Sequence, residues 1–217
     1  MAEQEGVIKF QLNYQPQAVL TAEHIVELTS WRQIMVQLGM LGQCPQRYDN
    51  YGFGNISQRF GSGVGSNSQF IISGTQTGGI THMTAADYAL VTDCQPTQNR
   101  IAALGETKPS SEAMTHGQLY QLSDDINFVI HAHCPQIWRQ ATSLNLPQTR
   151  AEVPYGTVAM ADEVARLFAD TDALQRGLFT MAGHEDGVVA FGYSAGQAAQ
   201  RLMSVYALAL SRIISVE

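Results

Sequence analysis

The sequence predicts an α/β domain in which helices cover a central, partly antiparallel sheet. Stretches with apolar residues at helical spacing alternate with short strand-like runs along the chain. Two of the earliest runs are joined by a Gly/Ser stretch, as in a hairpin. The 217 residues, 45% of them hydrophobic, suit one compact domain with a real core. We read residues 1–217 as that one domain, since no internal repeat and no long linker interrupts them.

Residues 1–20 read as irregular, with Pro16 interrupting them. Thr21 can cap a helix with Glu23 in its first turn. Ile25, Leu28, Trp31, Ile34, Met35 and Leu38 then recur at helical spacing, and Gly39 and Gly42 mark the end. Asn55–Phe60 and Gln69–Ser73 read as strands, and GSGVGSNS between them as a hairpin with a flexible tip. Thr84 with Asp87 resembles a capping box opening a short helix. Ser110 or Ser111 can cap another helix that runs through Leu122, with Glu112 in its first turn. INFVIHAH is a buried-looking strand, ended by Pro135, which suits the first turn of the next helix. A helix around residues 159–168, strands at 178–182 and 188–193, and a final helix from Ser194 complete the chain.

Composition narrows the function. The formal net charge is −7 and no Lys/Arg cluster stands out. That speaks against a nucleic-acid or anionic-membrane surface, which needs concentrated cations. No run of about 18 apolar residues occurs, so no membrane span is expected. MAEQEGVIKFQLNYQ has no basic region followed by an apolar one, so it does not read as a secretory signal. Cys44, Cys94 and Cys134 include no CxxC pair and read as reduced thiols in a cytoplasmic protein.

The sharpest chemical signal is His131-Ala132-His133 at a strand end. Residues i and i+2 of a strand share a face, so two imidazoles are presented together, as a metal requires. Cys134 falls on the opposite face. His184, between two strand-like runs, is the best third ligand; Glu185 and Asp186 beside it are oxygen ligands or solvated charges. Glu112 at a helix start is stabilised as an anion and suits general acid/base work or ligation. Ser-Ser-Glu is also a common way to begin a helix. His116, four residues on, lies on the same helical face and reads as structural. Gly54-Asn55-Ile56-Ser57 and Ser73-Gly74-Thr75-Gln76-Thr77-Gly78 are turns whose small polar groups can also meet an anion. GSGVGS at residues 61–66 does not match GxGxxG and gives no dinucleotide fingerprint.

The order GNIS, ISGTQTG, KPSSEAMTHGQLY, VIHAHCP, HEDGVVAFG resembles the class II aldolase/adducin family over nearly the whole chain. The resemblance implies a three-layer α/β/α sandwich around a mixed, largely antiparallel sheet, and a homotetramer with sites at subunit interfaces. It implies Zn2+, or another divalent metal, on His131, His133 and His184, with Glu112 as the acid/base. Asn55, Gly74, Thr75, Ser110 and Ser111 match the phosphate-binding loops. The implied reaction is a lyase cleavage of a sugar phosphate or related hydroxy-carbonyl compound, with the metal stabilising an enediolate. A dehydratase or epimerase on the same scaffold, a noncatalytic adducin-like interaction domain, and a thiol enzyme built on Cys134 are the alternatives.

Three features depart from the family pattern. His184-Glu185-Asp186-Gly187 stands where members often read Asn-His-Gly, Gln76 stands where sugar-phosphate aldolases tend to have glycine, and no counterpart of their borrowed tyrosine follows Pro147.

Overall fold

A computed structural model describes residues 6–61 and 68–215. The chain opens with strand β1 (Gln11–Pro16) and helix α1 (Ala22–Gln37), followed by a small two-stranded pair, β2 (Gly42–Gln43) and β3 (Gly52–Phe53). Seven further strands follow: β4 (Asn55–Phe60), β5 (Gln69–Ser73), β6 (Tyr88–Gln95), β7 (Arg100–Gly105), β8 (Phe128–His133), β9 (Leu178–Thr180) and β10 (Gly187–Gly192). With β1 they form one eight-stranded sheet in the order β1-β7-β6-β5-β4-β8-β10-β9. Among these strands only β1 runs parallel to its neighbour, β7. The sheet is therefore mixed and largely antiparallel, as expected.

Strand alternation sends apolar side chains to both faces, and helices cover each. Ile56, Ile71, Ile130, Val188 and Ala190 pack on one face with α1, α3 (Pro135–Gln140) and α6 (Ala195–Ile214). Phe70, Ile72, Val129, Val189 and Phe191 pack on the other with α2 (Ala113–Leu122) and α4 (Val158–Asp170). The short α5 (Ala173–Arg176) leads into β9. The result is a three-layer α/β/α sandwich. Among the described residues no helix is long and apolar enough to cross a membrane.

The expected strands β4 and β5 have the bounds read from the sequence and pair antiparallel. The flexible tip expected between them lies outside the described residues. Thr84 and Asp87 form their capping box, but over a 3-10 turn, Ala85–Asp87.

Four expectations need correction. Residues 11–16 are not irregular: they form the edge strand β1, with Pro16 as its last residue, where a missing N–H costs no central ladder bond. Residues 88–105 hold two strands, β6 and β7, that the sequence reading passed over. Helix α2 starts at Ala113, so Glu112 occupies its N-cap, not its first turn. On α1 the buried positions are Ile25, Leu28, Arg32 and Met35, whereas Ile34 and Leu38 face solvent.

Candidate active site

Strand β8 lies between β4 and β10, in the middle of one half of the sheet. Its alternation puts His131 and His133 on the α2 face with Val129, while Ala132 and Cys134 join the opposite core. His184 comes from the turn between β9 and β10, closed by hydrogen bonds from His184 N to Met181 O at 3.1 Å and from Gly187 N to His184 O at 2.9 Å. The three histidines are fully or almost fully buried, and one ligand nitrogen from each lies within 4.8 Å of the others.

Glu112 closes this cluster from the start of α2. His131 Nδ1 donates to Glu112 Oε1 at 2.8 Å, and His184 Nε2 lies 3.6 Å from the same oxygen. His184 Nε2 is 3.1 Å from His133 Nε2. With its proton on Nδ1, His131 carries a lone pair on Nε2. Among the described residues that buried atom has no partner, and neither has Glu112 Oε2. Buried polar atoms are normally satisfied, so orphans facing a histidine cluster point to a missing ligand. A carboxylate that fixes a histidine tautomer is also the usual outer support of a metal-binding imidazole. The residues thus fit a divalent cation held by His131, His133 and His184.

The site's electrostatics agree with neutral imidazoles at His133, His184 and His116 beside the Glu112 anion. Burial opposes the charge on Glu112, but His131, by charge and hydrogen bond, then His184 and His116 overcome it and hold its carboxyl at about 2. Burial takes His184 down to about 4 and His116 to about 3, against the pull of Glu112 in both cases. Burial, then the neighbouring His184, His131 and Arg47, set His133 well below its ordinary range. Neutral imidazole is the form that binds metal.

These values fix the sign of a pH effect. Histidines with depressed folded pKa values leave the unfolded chain to take up protons first as pH falls. Their contribution is complete above the ordinary value of 6.5 and is lost as pH drops toward the folded values near 4 and 3. Each such histidine gives a slope of about 1.4 kcal/mol per pH unit in that window. The metal-free protein should therefore be markedly less stable at pH 5 than at pH 7 by denaturant titration. Equal stability at the two pH values would contradict the neutral buried cluster.

A second, polar group adjoins the cluster. Ser110 N donates to Ser73 O at 3.1 Å and Thr75 N to Lys108 O at 3.0 Å, which ties the 73–78 loop to the start of α2. Asn55 enters from β4, opposite His131 in register, with its Nδ2 3.3 Å from His131 Nδ1. Gly54 before it has φ +70°, and a Cβ there would meet His131 O at 2.9 Å, so glycine is what lets β4 approach β8. Asn55, Gly74, Thr75, Ser110, Ser111 and Glu112 all line one cavity. The structure thus brings the candidate residues together in two adjoining groups.

The remaining candidates fall elsewhere. Glu185 is exposed at the turn, a solvated charge. Asp186 turns away to accept from Tyr48 Oη at 2.6 Å, with Arg47 3.8 Å from the same oxygen. His116 Nδ1 shares a 2.7 Å hydrogen bond with Ser57 Oγ, which also meets Tyr120 Oη at 2.7 Å, tying α2 to β4. His24 caps α1 and His82 is exposed. Cys134 is buried, and burial raises its thiol pKa, so it is no candidate nucleophile.

Sequence reasoning missed three neighbours. Tyr48 sets its ring 4.7 Å from that of His133, and burial together with its bond to Asp186 keeps its phenol protonated. Tyr48, Asp49 and Asn50 all have positive φ, a strained turn of the kind that collects at functional sites. Tyr155 lies 4.8 Å from His184, with Lys9 Nζ 3.7 Å above its ring. All three contacts join distant parts of the chain, and no local pattern marks them.

Comparison with known proteins agrees with this architecture. The family described as Class II Aldolase and Adducin N-terminal domain matches residues 44–211. No curated protein matches the sequence. Among solved structures, an L-fuculose 1-phosphate aldolase superposes with a TM-score of 0.63 and 18% identity, covering 93% of this chain and 91% of that one. The L-fuculose-1-phosphate aldolase of Thermus thermophilus gives a TM-score of 0.65 and 15% identity over 89% and 94%. A sugar-phosphate aldolase from Thermotoga maritima gives 0.63 and 16% over 89% and 96%. At such identities the likeness is one of fold.

Proposed function

The chain belongs to the Class II Aldolase and Adducin N-terminal domain family, and on that premise we propose that it is a metal-dependent lyase of the aldolase type. Its substrate is a sugar phosphate or a related hydroxy-carbonyl compound. One observation carries this reading: three buried histidines converge beside a buried carboxylate, with orphaned atoms on His131 and Glu112. An interaction domain has no need of such a set, because buried ionisable groups cost stability unless they work.

His131, His133 and His184 hold Zn2+ or another divalent cation. When bound, that cation supplies Lewis-acid polarisation of a substrate carbonyl and its neighbouring hydroxyl. Glu112 is the acid/base. Its Oε1 is fixed by His131 while Oε2 has no partner among the described residues, so Oε2 is the atom that takes and returns the proton as the C–C bond breaks. Asn55, Gly74, Thr75, Ser110 and Ser111 position the far end of the substrate, and the buried walls exclude water.

The protein is cytoplasmic on this reading, with residues 1–217 forming one domain that works as a homo-oligomer, a tetramer. Val26 and Ile34 on α1, Leu38 just after it, and Leu208 and Ile214 on α6 are exposed apolar side chains that a second copy would cover.

The test is elemental analysis of protein purified without a His-tag or chelator, followed by a screen of hydroxy-carbonyl compounds with product identification. Near-stoichiometric zinc and a cleaved C–C bond are expected. Dehydrated or epimerised products would move the chain to another reaction on the same scaffold. Protein that stays metal-free after zinc is added back would make it an interaction domain.

A further inference from the structure

We propose that Tyr48, Asp186 and Arg47 form one clasp that fixes His133 and His184 relative to each other, which makes Tyr48 and Asp186 positioning residues for the metal site. This rests on the three-histidine metal reading and assigns to it residues outside the ligand set.

The two ligand segments need holding where the sheet stops. His133 is the last residue of β8, and the β8–β10 pairing ends with Gly187 opposite it. His184 lies in the turn beyond that point, yet its Nε2 is 3.1 Å from His133 Nε2. Asp186, in the same turn, supplies the anchor. Its carbonyl oxygen accepts from Cys134 N at 2.8 Å, and its Oδ2 accepts from Tyr48 Oη at 2.6 Å. One residue of the His184 turn thus holds both the end of β8 and the loop between β2 and β3.

That loop reaches β8 as well. Arg47 Nη2 donates to Tyr48 Oη at 2.7 Å and to the backbone oxygen of His133 at 3.3 Å, while Nη1 donates to Gly39 O at 2.8 Å. The Tyr48 ring stands at 74° to the His133 ring, with centroids 4.7 Å apart. The side chain that binds Asp186 therefore also limits rotation of the His133 imidazole.

The cost of this arrangement argues for a task. Asp186 is only 5% exposed, and a buried carboxylate is unfavourable unless it is paired. Arg47 places a cation 3.8 Å from its Oδ2. Tyr48, Asp49, Asn50 and Asp186 have φ between +50° and +63°, a region that residues other than glycine seldom occupy. Strained backbone persists where its surroundings over-determine it, and it collects at ligand clamps. Here the strained turn of the loop and the strained residue of the His184 turn meet in one hydrogen bond. Outer groups that orient metal ligands act mainly on metal affinity.

The test is zinc affinity, measured by competition with a chromophoric chelator. Wild type, Tyr48→Phe, Asp186→Ala, Asp186→Asn and the Tyr48→Phe/Asp186→Ala double variant are compared. A thermal melt of each metal-free protein gives its folded fraction at the assay temperature. Tyr48→Phe loses one oxygen and keeps the ring against His133, so it should fold and bind zinc about tenfold more weakly. Asp186→Ala should lose about ten- to a hundredfold. The double variant should bind no more weakly than Asp186→Ala, because the two residues share one bond. Asp186→Asn keeps an oxygen that accepts from Tyr48 Oη and tolerates a positive φ, so it should recover most of the loss. Should Asp186→Ala not fold, Tyr48→Phe alone decides. Zinc affinity within about twofold of wild type in the folded single variants would reduce the contacts to loop packing and overturn the proposal. So would losses that multiply in the double variant, or Asp186→Asn as weak as Asp186→Ala. A wild type that takes up no zinc would instead reject the metal reading, and the proposal with it.

Discussion

His133→Ala should purify folded and almost free of metal. His133 is completely buried and packs between Tyr48 and His184. Its removal leaves two imidazoles, His131 and His184, to hold the ion. Complete protein sites bind zinc by roughly 10–16 kcal/mol, so losing one of three or four ligands should weaken binding by about a hundredfold to a thousandfold or more. The fold should survive for a physical reason. The metal-free wild type already holds several buried histidines whose charging is suppressed, and the variant removes one of them. The lost ring leaves a cavity that costs about 2–4 kcal/mol, within the margin of a domain of this size. Zinc per chain, with a circular-dichroism melt on the same sample, reads both effects. His82→Ala, at an exposed position, is the control and should keep its metal. Undiminished zinc in His133→Ala would remove it from the ligand set.

The reach of the sequence follows from how local each signal is. The pairing of His131 with His133 needs only the two-residue period of a strand, and β8 supplies it. Asn55–Phe60 and Gln69–Ser73 were legible because apolar runs stand on either side of a Gly/Ser break. Strand β1 was not legible. QLNYQP is polar, ends in proline and is exposed or half-exposed along its length; only the free edge of β7 makes it a strand. In β6 a register shift between Val91 and Asp93 breaks the alternation that would have marked it.

The site divides the same way. Glu112 was legible as a helix-start carboxylate. Its 2.8 Å bond to His131 depends on α2 lying over the β8 face, which no local pattern encodes. Tyr48, Tyr155 and Lys9 reach the histidines through contacts between distant parts of the chain. Gln76 was visible as a departure from the family pattern.

Glu112→Gln should separate metal binding from turnover. The amide has nearly the shape of the carboxylate, and its oxygen can still accept from His131 Nδ1, so the histidine keeps its tautomer and the site keeps its metal. What the amide lacks is basicity. In the wild type the surrounding histidines hold the Glu112 carboxyl at about 2, so it is an anion throughout the neutral range, the form that can accept a proton from the substrate. Removing a positioned acid/base costs typically about 10²–10⁴-fold in rate. The loss should fall on kcat, with little change in KM, because the proton moves in the transition state and contributes little to ground-state binding. Glu112→Asp gives a second reading. It keeps a base but withdraws it by one methylene, so it should recover part of kcat where Gln recovers none. Steady-state kinetics beside zinc analysis for the three proteins decides the matter. A Gln variant that turns over within a few-fold of wild type while zinc-loaded would take the proton transfer away from Glu112. A Gln variant that loses zinc would make Glu112 a group that holds the metal site together, through His131.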